Sequence, residues 1–232
     1  TLAAKAGRQA GRLEVSEAAI GIGDGRVTGR LTVTGLEREA AACRFEANGE
    51  DLPLMEVLRV LAPGALPYVA GTAGADVSGG FALGPPVGAG AGLVFEAEVR
   101  ARDGVVHASS WLTDIAPYLG ARRDLQDIRY RSLASGVKLN GGRLAIADLK
   151  LEGPDTDWRG RGWLDLAGPL DLGLTVKLPA GFRPDLGSLA PLAALLKGDD
   201  GRSALGLRLT GRTAAPEVSL DLGASGRQAG WR

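Results

Sequence analysis

WRGRGWLDLAGPLDLGLTVKL, residues 158–178, decides the fold. Trp158, Gly160, Gly162, Leu164 and Leu166 alternate with Arg159, Arg161 and Asp165. Beyond Gly168-Pro169, Leu170, Leu172, Leu174, Val176 and Leu178 alternate with Asp171, Thr175 and Lys177. A period of two is the mark of a strand with one dry and one wet face. Two such runs around a short Gly-Pro break predict an antiparallel pair. At about 3.3 Å per residue each run reaches about 30 Å. A row of leucines that long needs an apolar partner, and the nature of that partner sets the function.

The same beat runs through most of the chain. Residues 1–11 read as a frayed, basic lead-in. Strands are predicted around Leu13–Ile22, Val27–Gly35 and Ala41–Ala47, with turns at Asp24-Gly25 and Asn48-Gly49. They continue at Val69–Leu83, then Leu93–Ala101 turning at Asp103-Gly104, then Ile128–Leu139 up to Asn140-Gly141. Leu144–Leu151 changes phase near Ala147, which predicts a bulge. Leu205–Leu209 and Val218–Leu222 close the series. Three stretches switch to a three-and-four spacing and predict short helices: Asp51–Ala62 with Asp51 as cap and Pro53 in its first turn, Ser110–Leu119, and Asp185–Leu196. The Gly/Pro-rich stretch 84–92 reads as a connector.

Bulk composition removes several function classes. Lys plus Arg equals Asp plus Glu at 27 each, so no basic field exists to attract nucleic acid. No run of 18 apolar residues occurs, so no transmembrane helix is predicted within these 232 residues. The chain opens without Met, which reads as a piece of a longer protein with any targeting segment upstream. A single histidine, His107, rules out most His-based triads, zinc sites and acid–base schemes. Cys43 alternates with Ala41 and Phe45 and reads as a small core residue. GIGDG (21–25) and GAGAG (88–92) lack the following Gly-Lys-Ser/Thr and long helix of a phosphate loop. Asp155/Asp157 and Asp199/Asp200 flank turn residues and read as self-bonding turn carboxylates rather than a cation site. Neither a catalytic group, a metal site nor a cofactor is indicated.

Set against itself at an offset of about 131–133, the chain repeats. RLEVSEAAIGIGDGRVTGRLTVTG (12–35) faces RLAIADLKLEGPDTDWRGRGWLDLAG (143–168), and DLPLMEVLRVLAPG (51–64) faces DLGSLAPLAALLKG (185–198). A fixed long period marks stacked units, none of which buries its own face alone. The division predicted is a lead-in (1–11), a first β repeat (12–85), a connector (86–92), a second β repeat (93–222) and a tail (223–232).

The order of these pieces resembles the C-terminal region of AsmA-family proteins. The residues that carry the likeness are Asp103-Gly104-Val105-Val106, Gly141-Gly142-Arg143-Leu144, Gly160–Leu166, and Thr210-Gly211 followed by Pro216-Glu217-Val218. All are strand and turn residues. The resemblance implies a periplasmic protein tethered to the inner membrane by an N-terminal helix outside this chain. It also implies a curved β-sheet whose apolar inner face carries phospholipid toward the outer membrane.

The fold expected is therefore all-β with a few short helices: a curved antiparallel sheet, or an open sandwich or groove, made of two related repeats. The residues expected to line the groove are Leu93, Phe95, Val99, Leu144, Ile146, Leu164, Leu170, Leu172, Leu174, Val176, Leu205, Leu207 and Leu209. Strand alternation looks the same whether such a row faces lipid or a second protein layer. A structural or adhesive β-repeat with a closed core and no lipid therefore stands as the alternative. Glycines inside strands, at 29, 79, 160 and 162, predict bending or close backbone approach. Trp158 and Trp163, an odd number apart, fall on opposite faces.

Overall fold

The structure is a computed structural model and describes residues 2–9, 11–37, 41–61, 69–83, 92–107, 127–182, 196–197, 200–213, 215–221 and 223. Twelve strands follow in chain order: β1 (Leu2–Gln9), β2 (Arg12–Ile22), β3 (Gly25–Thr34), β4 (Ala41–Pro53), β5 (Val69–Leu83), β6 (Val94–Val106), β7 (Ile128–Asn140), β8 (Arg143–Glu152), β9 (Asp157–Asp165), β10 (Pro169–Lys177), β11 (Ala204–Arg212) and β12 (Ala215–Leu220). Each pairs antiparallel with the next, giving one curved twelve-stranded meander that is not closed into a barrel. One helix, α1 (Leu54–Leu61), lies between β4 and β5 among the described residues. It is held on its outer side by an Arg59–Glu56 pair at 2.6 Å.

The hairpin read from residues 158–178 is present with its predicted facing. Leu164 opposes Leu170, Gly162 opposes Leu172, Gly160 opposes Leu174 and Trp158 opposes Val176. The glycines allow close approach: a Cβ at Gly160 would meet Leu174 Cδ2 at 2.6 Å, so the leucine lies over its smaller neighbour. Trp158 is buried and donates to Thr156 Oγ1 at 2.9 Å. Trp163 sits on the other face, under the Arg143 guanidinium at 4.1 Å.

Register turns these local pairs into rows that cross the sheet. One row reads Val15, Leu31, Phe45, Gly79, Phe95, Leu139, Leu144, Leu164, Leu170. The next reads Ala18, Gly29, Ala47, Val77, Ala97, Val137, Ile146, Gly162, Leu172, Leu209, Val218. On the opposite face the matching row is Arg30, Glu46, Ser78, Glu96, Lys138 and onward to Asp171 and Glu217. Arg30–Glu46 (2.5 Å) and Lys138–Glu96 (2.9 Å) pair within it. The sheet is oily on one side and charged on the other.

Four acidic residues keep that segregation intact. Glu17, Asp51, Asp103 and Asp148 have φ of 55°, 53°, 49° and 48°, and each adds a residue to its strand against a neighbour. They fall in β2, β4, β6 and β8. The bulge predicted near Ala147 is the one at Asp148, and Glu17 occupies the equivalent place 131 residues earlier. Three expectations are corrected here. Asp103-Gly104 is a bulge within a continuous β6, not a turn. β4 runs past Asn48-Gly49 to Pro53. Asp51 is a bulge residue, not a helix cap, and the helix starts at Leu54. Asp and Asn favour left-handed backbone in bulges and in turns alike, so the sequence signal is the same.

Residues 2–9 form the edge strand β1, paired along its length with β2, rather than a frayed lead-in. The turns at β2–β3 and β7–β8 lie one residue from their predicted places, at Gly23-Asp24 and Gly141-Gly142. Both glycines of the second turn have positive φ (57° and 78°), as a tight hairpin requires. The sheet runs on past the Gly/Pro connector, with β5 and β6 paired from Gly80↔Val94 to Val69↔Val106. The segments that align in sequence occupy strands six apart, β2–β3 and β8–β9. The connections β4–β5, β6–β7 and β10–β11 all leave the same end of the sheet. The helices expected at 110–119 and 185–196 lie outside the described residues, apart from Leu196.

Two substitutions separate bulge from strand at position 148. Asp148→Val should destabilise by about 1–2 kcal/mol, because a β-branched residue is forced into left-handed backbone. Asp148→Gly should stay within about 1 kcal/mol of the parent. Urea unfolding midpoints measure both, and an equal loss for the two would show that φ is not what the residue supplies.

Candidate functional site

The apolar face is the candidate site, and it divides into two regions. Along one end of the strands it is sealed: Leu52, Ala73, Ala101, Leu151, Trp158, Val176 and Leu205 lie in one cross-strand row from β4 to β11 that is buried except at half-buried Leu133. Val176, Leu178, Leu205 and Leu207 have no exposed surface, and Leu170, Leu174 and Leu209 are buried beside them. Leu196 and Phe182 pack here, as do Trp158, Leu151, Tyr130 and Ile128 from neighbouring strands, and Leu54 of α1 reaches the same cluster. Tyr130 donates its hydroxyl to Ala70 O at 2.9 Å, and burial pushes its pKa up.

In the rows nearer the other end of the strands the face is less covered, although Cys43, Ala97 and Leu139 are buried within them. Leu93, Phe95, Val99, Leu144, Ile146 and Leu164 are half-buried, as is Leu172 in β10. At the rims Ile20 and Leu83 are 44% and 41% exposed. Of the thirteen predicted lining residues, Leu170, Leu174, Val176, Leu205, Leu207 and Leu209 therefore belong to a core. The other seven lie on the part-open face. Val15, Leu31, Phe45, Val77 and Val137 continue that face in register and are also half-buried. They carry the same alternation in the sequence, and drawing the site from the second repeat alone missed them. Cys43 is buried in its own row between Val33 and Phe81, and desolvation pushes its thiol pKa up, away from nucleophilic use.

The part-open region offers almost no hydrogen-bonding group. Ser135 is the polar side chain on it, it is buried, and its hydroxyl is directed to Gly136 O and Ala147 O at 3.2 Å each. Glycine lets large side chains close ranks: a Cβ at Gly79 would lie 2.9 Å from Phe45 Cζ and 2.7 Å from Phe95 Cβ. At about 4.8 Å per strand, the region from β2 to β9 is about 34 Å long.

A hollow of about 1230 Å³ crosses the strands. Arg30, Glu46, Asp76, Ser78, Glu96 and Lys138 line it, together with Ala47, Val77, Ala97 and Val137 of the apolar row. Its charges neutralise one another locally: Asn48 donates to Asp76 at 2.8 Å, Arg100 pairs with Asp76 at 3.0 Å, and both lower the Asp76 pKa. No cluster of three or more metal-ligating side chains occurs among the described residues. His107 meets Asp127 at 3.2 Å where β6 ends and β7 begins, without a nucleophile beside it among the described contacts.

A knot of charge that the sequence did not foretell fastens the sealed end. Arg202 donates to Leu178 O (2.8 Å), Lys177 O (3.0 Å) and Asp157 Oδ2 (2.5 Å). Lys177 pairs with Asp200, whose carboxylate also accepts from Arg202 N at 3.1 Å. Asp200 thus does bond its local backbone as predicted, and Asp157 instead serves Arg202. The Lys177 ammonium, then the Arg202 amide, hold the Asp200 pKa below its ordinary 3.8.

Leu207→Ala should cost about 2–5 kcal/mol and Ile146→Ala distinctly less, because only the first leaves a cavity inside a dry core. Chemical denaturation of both variants reads the difference. A depressed carboxylate stabilises above its unfolded pKa and loses that contribution as pH falls through the folded value. The advantage of the parent over Asp200→Asn should therefore be level at neutral pH and vanish below about pH 4, as followed by acid-dependent thermal unfolding.

No family model, curated protein or solved structure matches the chain.

Proposed function

We propose that the chain is a non-catalytic, periplasmic segment of an AsmA-like protein that holds phospholipid acyl chains against the apolar face of its sheet. The observation that carries the reading is the strip of Leu, Ile, Val and Phe across β2–β9, continuous in register, mostly half-buried, and with the hydroxyl of Ser135 already directed to backbone carbonyls. An apolar patch of that extent marks an interaction surface or an aggregation hazard. Hydrocarbon fits it because it asks for no polar partner, and the opposite face already supplies charge toward water. No helix among the described residues is long and apolar enough to cross a membrane; the likeness to AsmA-family proteins is what suggests an inner-membrane tether. Acyl chains would lie on the strip with headgroups at its rim, in a path between the inner and outer membranes.

The fully buried leucines of β10 and β11 favour a second reading, a structural β-segment with a closed core and no lipid. Native mass spectrometry of the gently purified chain separates the two. Copurifying phospholipid is expected, with phosphatidylethanolamine and phosphatidylglycerol captured in the ratio offered, since the strip reads hydrocarbon alone. Ile146→Asp should abolish the lipid adduct and leave circular dichroism unchanged. Lipid-free protein from the parent, together with an Ile146→Asp variant that unfolds, would establish the closed-core segment instead.

A further inference from the structure

We infer that the end of the sheet bearing the β3–β4, β5–β6, β7–β8 and β9–β10 connections docks on a phospholipid bilayer, with apolar side chains at its tips seated in the interface. The inference rests on the lipid reading for its purpose and on other residues for its evidence. Seven large apolar side chains stand exposed among the described residues, and five of them, Leu36, Phe81, Leu83, Val94 and Leu166, lie at or near this end. Leu36 and Leu166 follow β3 and β9 in the chain and are 39% and 52% exposed, while Leu83 closes β5 and Val94 opens β6. The dry row from Leu52 to Leu205 runs near the opposite end, so these tips are not the fringe of the main core.

The tips are held in place by the backbone. Leu36 N donates to Gly11 O at 3.1 Å, Leu166 N to Gly142 O at 2.8 Å and Thr213 N to Gly168 O at 2.7 Å, and each bond ties one turn to the next at this end. Backbone groups already satisfied within the protein cost little to move out of water. Behind the tips stands a layer suited to headgroups. Trp163 lies two residues inside the end of β9, about 7 Å back at 3.3 Å per residue. The Arg143 guanidinium lies 4.1 Å from its ring centre. Tryptophan and exposed arginine favour the depth at which lipid phosphates sit. Arg8, Arg12, Arg44, Arg143 and Arg212 lie at this end with Glu14, Glu37 and Asp165, a positive excess among the described residues that suits a surface holding anionic lipid. From β3 to β9 the tips span about 29 Å at 4.8 Å per strand, on separate connections. A protein partner would have to match that interrupted outline, whereas a fluid interface accepts it as it stands.

Flotation of the full chain with phosphatidylethanolamine/phosphatidylglycerol vesicles gives the test. The parent is expected to float. Combining Leu36→Glu, Leu83→Glu and Leu166→Glu should lower the bound fraction at least tenfold with circular dichroism unchanged, because each side chain is already exposed. Where the combination disturbs the fold, Leu166→Glu alone takes its place, with at least a threefold loss expected. Ile20→Glu with Met55→Glu, exposed toward the opposite end, should bind as the parent does. An equal loss in both sets, or a loss in neither, would overturn the assignment of this end. A parent that does not float would overturn the docking, while the phospholipid adduct in native mass spectrometry still decides the lipid reading by itself. A non-floating parent that is a dimer, and that the triple substitution makes monomeric, would assign the tips to a second copy of the chain instead.

Discussion

Cross-strand register is the constraint on which the rest of the structure depends. Each of the twelve strands pairs only with its sequence neighbours, so facing is passed on one hairpin at a time. A slip of one residue anywhere would send the next strand's leucines to the charged side. No second sheet among the described elements stands ready to correct such a slip. The opposed faces therefore have to be encoded locally, by alternation, tight turns and cross-strand charge pairs. Arg30–Glu46, Lys138–Glu96 and Arg208–Asp171 join adjacent strands on the wet side and are satisfied in one register only. Exposed pairs of this kind add little stability, and their value here is in discrimination.

The acidic bulges follow from the same constraint. Inserting a residue in left-handed backbone reverses the sequence parity of the apolar positions without reversing the face they occupy. In β8 the apolar set changes from Leu144 and Ile146 to Leu149 and Leu151, with Asp148 taking the extra place. Bulges increase local twist, and their recurrence in β2, β4, β6 and β8 fits a sheet that curves without closing. Glu17 and Asp148 place the same irregularity in strands six apart, within the segments that align in sequence.

Most of the fold was legible because its information is local. Alternation at 158–178 yields the hairpin, its facing and the opposite placement of Trp158 and Trp163. The errors cluster where one local signal serves two outcomes. Asp103-Gly104 and Asn48-Gly49 are turn dipeptides used inside continuous strands, and what separates the uses is whether the neighbouring ladder continues. The site was legible only as a row. Leu144 and Leu207 both sit in leucine-rich alternating runs, yet one is half-buried and the other sealed. That difference comes from Leu178, Leu196 and Phe182, which lie outside the strands concerned. Arg202 was overlooked for the same reason, because its acceptors lie up to 47 residues away, at Asp155 O.

Sealed and part-open regions on one face solve a stability problem that a uniform strip would leave unsolved. A single-layer sheet with a continuously wet apolar face forgoes about 25 cal/mol for every Å² it leaves in water, while its strands still carry the full conformational cost of ordering. Concentrating Trp158, Val176, Leu205, Leu207 and their neighbours into one dry cluster gives the sheet a stable anchor, from which pairing extends toward β1. Stability should accordingly decline from the clasped end to the free edge. The half-buried rows beside it are then not the element that holds the fold together. Dry and part-open surface share one face of one layer, divided between neighbouring rows.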